Sequence, residues 1–180
     1  MSRIPDLVEA DLTPEQRQVY DAIVRGPRGR VRGPLRIWLT SPELADKAQQ
    51  LGAYCRYDSS LPPRLTELAI LIVGAFWKAG YEWNAHVPQA LAAGLSRDVI
   101  EAIRIGQAPN LERADERAVH AFARELLTTR RVSAATYRAA EAELGAPGLV
   151  DLVGVLGYYG LISMTIVAFE VSAGGDNPFA

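Results

Sequence analysis

Thiols are nearly absent from this chain of 180 residues, which has one cysteine, Cys55. A lone cysteine forms neither an internal disulfide nor a Cys-x-x-Cys couple, which excludes disulfide-stapled folds and dithiol oxidoreductases. A redox contact between subunits is the one thiol role left to Cys55. Histidine is almost as scarce, with His86 and His120 the only two. Neither sign of charge is in excess: the formal net charge is −2 and the sequence pI about 5.7. No global basicity therefore points to nucleic acid. Strand-like alternation between hairpin turns is missing, and so are internal repeats and low-complexity linkers. The opening Met-Ser-Arg-Ile-Pro-Asp lacks the charged-then-apolar order of a secretory signal. A cytoplasmic protein is expected.

What the chain does contain is helix punctuation. Hydrophobic residues make up 49% and charged ones 22%, enough for one domain with its own core. Thr13-Pro14-Glu15-Gln16 predicts a capped helix start, running to about Arg25 and stopped by Gly26. Gly26 to Pro34 is an irregular connection. Ser41-Pro42-Glu43 opens a second helix to about Tyr57, and Leu61-Pro62-Pro63 leads into a strongly apolar third. Further helices end near Gly94, Gly106 and Gly145, and Ala118, Phe122 and Leu126 mark the inner face of a long amphipathic one. Pro147-Gly148 opens the last helix, and the tail from Gly174 to Pro178 is expected to fray. The fold class predicted is all-α, a single-domain bundle of some eight helices over residues 1–180.

The chemistry centres on Glu67 to His86. Between Leu65 and Trp77 the only polar side chains are Thr66 and Glu67. Burial there disfavours the charged carboxylate and moves it toward the range of proton transfer. Glu82 and His86, four residues apart, share one helix face. Glu67 has a competing structural role as the buried partner of Arg56 or Arg64, and His86 one as a satisfied core histidine. Reach is a difficulty. With a turn at Gly80, Glu67 lies ~20 Å back along its helix and His86 only ~9 Å forward, at 1.5 Å per residue. An early helix end, a steep crossing or a bridging water is required. Metal binding is not expected: the Glu-x-x-His repeat of di-iron bundles is missing, and His120 stands on a separate amphipathic helix.

Two further stretches carry charge information. Arg25, Arg28, Arg30, Arg32 and Arg36 crowd a segment with no acid between Asp21 and Glu43. A solvated loop or subunit contact is the ordinary reading of such a run, attraction of an anionic substrate the functional one. Aromatic interleaving for nucleic acid is absent. Arg56 is the better candidate for gripping a substrate carboxylate. From Leu152 to Phe169 no residue is charged, which reaches the lower limit of a membrane span. Acids flank the run, at Asp151 and Glu170, and no anchoring lysine or arginine does, so a core or subunit-interface helix is expected rather than a span. Gly154, Gly157 and Gly160 would let another helix approach closely.

Three blocks resemble one family. They are Leu61-Pro62-Pro63-Arg64-Leu65-Thr66-Glu67-Leu68, then Tyr81-Glu82-Trp83-Asn84-Ala85-His86 with Ala92-Ala93-Gly94-Leu95-Ser96, and Gly157-Tyr158-Tyr159. Together, over about residues 40–171, they resemble the carboxymuconolactone decarboxylase and alkylhydroperoxidase D-like superfamily. The resemblance implies a bundle built round a helical hairpin, a homo-oligomer (trimer or hexamer) and no bound cofactor. It implies a proton relay of Glu67 and His86; Glu82, one turn from His86, is read from its spacing as the third catalytic candidate, and Arg56, Trp83 and Tyr158 as candidates at the substrate, with packing competing for both aromatics. The peroxidase branch has a cysteine pair that would fall on Ala79 and Glu82, neither of them a thiol. Peroxide reduction is therefore not expected. Acid/base chemistry on a small organic acid or lactone is, in the manner of a decarboxylase. The rivals are a family member that has lost its redox cysteines and a non-enzymatic oligomeric binding protein.

Overall fold

The computed structural model describes residues 2–5 and 7–180. Met1 and Asp6, both in the stretch read above for a secretory signal, lie outside the described residues. After a single turn at Glu9–Asp11 come α1 (Pro14–Arg25), α2 (Pro34–Trp38), α3 (Pro42–Ala53), α4 (Pro63–Phe76), α5 (Gly80–Ala92), α6 (Arg97–Arg104), α7 (Ala114–Thr129) and α8 (Ala134–Ala168). No strand occurs among the described residues. The fold is all-α.

Local sequence explains most of the starts. Gln16 N–H donates to Thr13 Oγ1 at 3.3 Å, and Thr13 N–H donates back to the Gln16 side chain at 3.0 Å, closing a capping box. Ser96 and Ser133 accept from Val99 and Thr136 in the same way. Ser41 makes no such side-chain bond; Pro42 starts α3 unaided. The second predicted helix, expected as one run to Tyr57, changes pitch at Tyr54–Asp58 into a wide π turn. Asp151 on α8 holds that turn, accepting from Tyr54 Oη, Ser60 N and Ser60 Oγ at 2.7, 2.7 and 2.6 Å. Gly145, at φ 67° and ψ 172°, breaks α8 into two arms where two helices were expected. Its left-handed φ suits glycine.

The core forms around α4, in which every residue from Leu65 to Gly74 is buried. A helix apolar on all sides needs neighbours on all sides, and α5, α7 and α8 supply them. Arg64 ties the start of α4 to that of α7, 2.7 Å from Asp115 and 2.5 Å from Glu116. The apolar run in α8 meets the length and hydropathy of a membrane span, but 56% of that window is buried within the fold. Its exposed remainder is a stripe through Val150, Val153, Gly157, Met164 and Val167.

The C-terminal tail is docked, not frayed. Asn84 Nδ2 donates to the carbonyls of Ala173 and Asp176 at 3.2 and 3.1 Å, and Arg104 donates to Pro178 O at 2.7 Å. Phe179 then stacks edge-on against Trp83 at 5.3 Å.

Candidate active site

The turn between α4 and α5 decides whether Glu67 can reach His86. Ala79 N–H donates to Gly74 O at 2.9 Å and Lys78 takes a left-handed φ of 52°, the geometry that terminates a helix. Ending α4 at Phe76 rather than Gly80 leaves Glu67 ~14 Å from the turn against ~9 Å for His86, at 1.5 Å per residue. Two side chains span that remainder. Glu67 Oε2 lies 2.7 Å from His86 Nδ1 and Glu82 Oε1 lies 2.8 Å from Nε2. No bridging water is needed. Arg64 is engaged by α7, so the structural pairing that competed for Glu67 does not form.

All three groups are buried, with Glu67 7%, Glu82 5% and His86 3% exposed. Burial alone would lower the histidine pKa. The charge of Glu82 and the hydrogen bonds of Glu67 and Glu82 outweigh it and raise His86 to about 9. Both contacts then become N–H donations from an imidazolium to carboxylates, and neither nitrogen keeps a lone pair for a metal. Tyr159 stands edge-on to His86 at 5.2 Å and to Tyr158 at 5.2 Å.

Beside the triad lies a cavity of about 240 Å³. Glu82 and His86 line it while Glu67 sits behind, and Tyr81, Tyr158 and Tyr159 form part of its wall. Arg28, Arg30 and Arg32 from the connection after α1, and Arg56 from the π turn, line it too. The basic segment is thus part of the site rather than only a solvated loop. The apolar surroundings that the sequence gives Glu67 form the core behind the triad, and the cavity itself is rich in guanidinium. Burial pushes the Tyr158 phenol up to about 12, with Arg28 acting against it, and Tyr159 well above its usual value. Both remain neutral hydrogen-bond donors at pH 7.

Of the predicted set, His86, Glu82, Arg56 and Tyr158 meet at the cavity and Glu67 backs them. Trp83 does not join them. One residue on from Glu82 it is turned about 100° round α5, and it packs under Phe179 of the tail. Tyr159 and the three connection arginines are the residues that sequence reasoning undervalued. Their alternate spacing and lack of acidic neighbours were the available signal. Cys55 is buried, at 1% exposure, and burial pushes its thiol pKa up, which removes the intersubunit redox role.

Residues 42–125 match the model of the carboxymuconolactone decarboxylase family. No curated protein matches the chain by sequence. Among solved structures, the chain is similar to an uncharacterised peroxidase-related protein with an alkylhydroperoxidase AhpD core from Ralstonia eutropha. The TM-score is 0.78 at 16% identity, covering 99% of this chain and 94% of that one. A peroxidase-related protein from Silicibacter sp. gives 0.74 at 17%, covering 93% and 90%. The debrominase Bmp8, solved with 2,3,4-tribromopyrrole, gives 0.74 at 16%, covering 96% and 91%. These likenesses establish the fold.

Proposed function

We propose, from the match of residues 42–125 to the carboxymuconolactone decarboxylase family and from the alkylhydroperoxidase D-like fold, that the chain is a member of that superfamily and a cofactor-free, cytoplasmic acid/base enzyme acting on a small organic acid or lactone. Decarboxylation is the reaction its site suits best. The observation that carries the reading is His86 clamped between Glu67 and Glu82 at the edge of an arginine-lined cavity.

In the proposed reaction, the bond between a substrate carboxylate and its neighbouring carbon breaks and carbon dioxide leaves. The electron pair passes into a conjugated carbonyl as enolate charge, which a guanidinium or tyrosine hydroxyl stabilises. A proton then bonds to carbon. His86 holds that proton at pH 7, since its pKa is about 9. Both its nitrogens are engaged, so the proton leaves through Glu82, whose carboxylate lines the cavity; Glu67 keeps the imidazole charged and ready for the next turnover. One proton from solvent balances each carbon dioxide released.

A thiol peroxidase reading finds no support in the residues present: Ala79 and Glu82 stand where the cysteine pair would be, and Cys55 is buried. A pocket walled by titratable groups favours an enzyme over a packed scaffold. Loss of ultraviolet absorbance from 4-carboxymuconolactone tests the reading. Wild type should turn it over, and His86→Ala and Glu67→Gln should each lose about 100-fold or more, the usual share of a general acid. No turnover by wild type removes this substrate. Undiminished turnover in both variants removes the site.

A further inference from the structure

A cation placed on the departing carboxylate would hold back its loss, because the charge it stabilises disappears as carbon dioxide leaves. Four guanidiniums in one small cavity therefore need something else to bind. Among the described residues, none of Arg28, Arg30, Arg32 and Arg56 has a carboxylate at ion-pair distance. The one acid lining the cavity, Glu82, shares the His86 imidazolium with Glu67, so the triad offsets at most one of the four guanidiniums. The arginines are also not equivalent. Arg28 Nη2 donates to Tyr158 Oη at 3.2 Å, while its Nε is buried without a partner. Arg56 stacks over Tyr57 at 5.3 Å, and its charge is felt at Tyr159, the ring next to His86. One cation thus stands near the proton relay and one is held at the adjoining tyrosine. A buried, unsatisfied guanidinium N–H is costly unless an acceptor reaches it, and an anion's oxygens are the acceptors that suit it.

We propose that Arg28, held in place by Tyr158, is a specificity-determining residue that binds an anionic group of the substrate remote from the reacting carbon. The site thereby prefers small compounds carrying two or more negative charges. Arg28 and Tyr158 both lie outside residues 42–125, the segment that matches the family model. The preference accordingly rests on the N-terminal connection, through Arg28, and on α8, through Tyr158. Arg30 and Arg32, more exposed on the same connection, raise the local concentration of anions without fixing their orientation. The inference rests on the acid/base reading for the identity of the reacting group, but its test needs no turnover.

Calorimetric titration of the full chain at low ionic strength, with glutarate as dianion and butyrate as monoanion, reads the preference directly. Glutarate should bind about tenfold or more tightly than butyrate, as one added charge-assisted pair predicts. Arg28→Gln should abolish most of that ratio with butyrate binding little changed, and Arg28→Lys should restore part of it. Tyr158→Phe should reduce the ratio by loosening Arg28. Arg138→Gln, an equal charge change at an exposed position off the cavity, should leave the ratio alone. His86→Ala should keep it, which separates this inference from the reaction proposed above. Equal affinity for the two anions, no binding of either, a ratio unaltered in Arg28→Gln, or an equal drop in Arg138→Gln overturns the proposal.

Discussion

An imidazole that touches two carboxylates satisfies both only when it carries two protons. That is the state His86 holds, with a pKa raised to about 9 against an ordinary 6.5. The groups facing it are Glu67 from α4, Glu82 from α5 and Tyr159 from α8. A folded-state pKa above the unfolded value stabilises the protein fully below pH 6.5, and the contribution fades as pH rises through 9. The amount is about 3 kcal/mol. Denaturant unfolding at pH 7, 7.5 and 8 should show this decline, above the range where His120, its pKa lowered by burial, acts in the opposite sense, and below the range where the Cys55 thiol ionises in the unfolded chain. Equal stability at the three values would contradict it. Turnover should fall as pH rises through about 9 and the relay loses its proton. The residue types here were legible in sequence, because an i, i+4 pair is a local property of a helix. The Glu67 contact was not legible, since it depends on how α4 ends.

Single elements set where these groups stand. Lys78 is exposed and pays the left-handed backbone cost of the turn that ends α4. Lys78→Gly should therefore raise stability by roughly 1 kcal/mol, read as an increased denaturation midpoint, with activity unchanged. A lowered midpoint would show that the turn is not strained. At the crossing of α3 and α8, Gly52 faces the Tyr158 hydroxyl and Arg28, and an added Cβ would collide with both. Gly52→Ala should cost about 1–3 kcal/mol, the usual penalty of overpacking, and disturb the anion site as well. Unchanged thermal stability would mean that the crossing has slack. The sequence showed this glycine inside a helix but not what it opposed. The docking of the tail on α5 was likewise invisible, because Trp83 meets Phe179 only after the chain has returned from α8.

At the scale of the whole molecule, α8 leaves an apolar stripe exposed through Val150, Val153, Gly157, Met164 and Val167. Steps of three, four, seven and three residues keep it on one side of the helix, and such a seam complements itself across a two-fold axis. We propose a second copy of the chain as its occupant, within the homo-oligomer that the family resemblance implies. Light scattering after size exclusion should give an oligomer for wild type and a smaller species for Val153→Glu. A wild-type monomer, or an oligomer indifferent to Val153→Glu, would remove the stripe from the interface. A membrane would be the alternative occupant if wild type sedimented with lipid vesicles.

Helix class, most helix starts and the candidate site residues came from sequence alone, because caps, turn residues and periodicity act within a few residues of themselves. The reach of Glu67 to His86, the turning of Trp83 away from the cavity and the enlistment of Arg28, Arg30 and Arg32 came only with the tertiary structure. Each depends on which distant segment packs against which. A run of arginines states its charge in one dimension; folding decides what that charge surrounds.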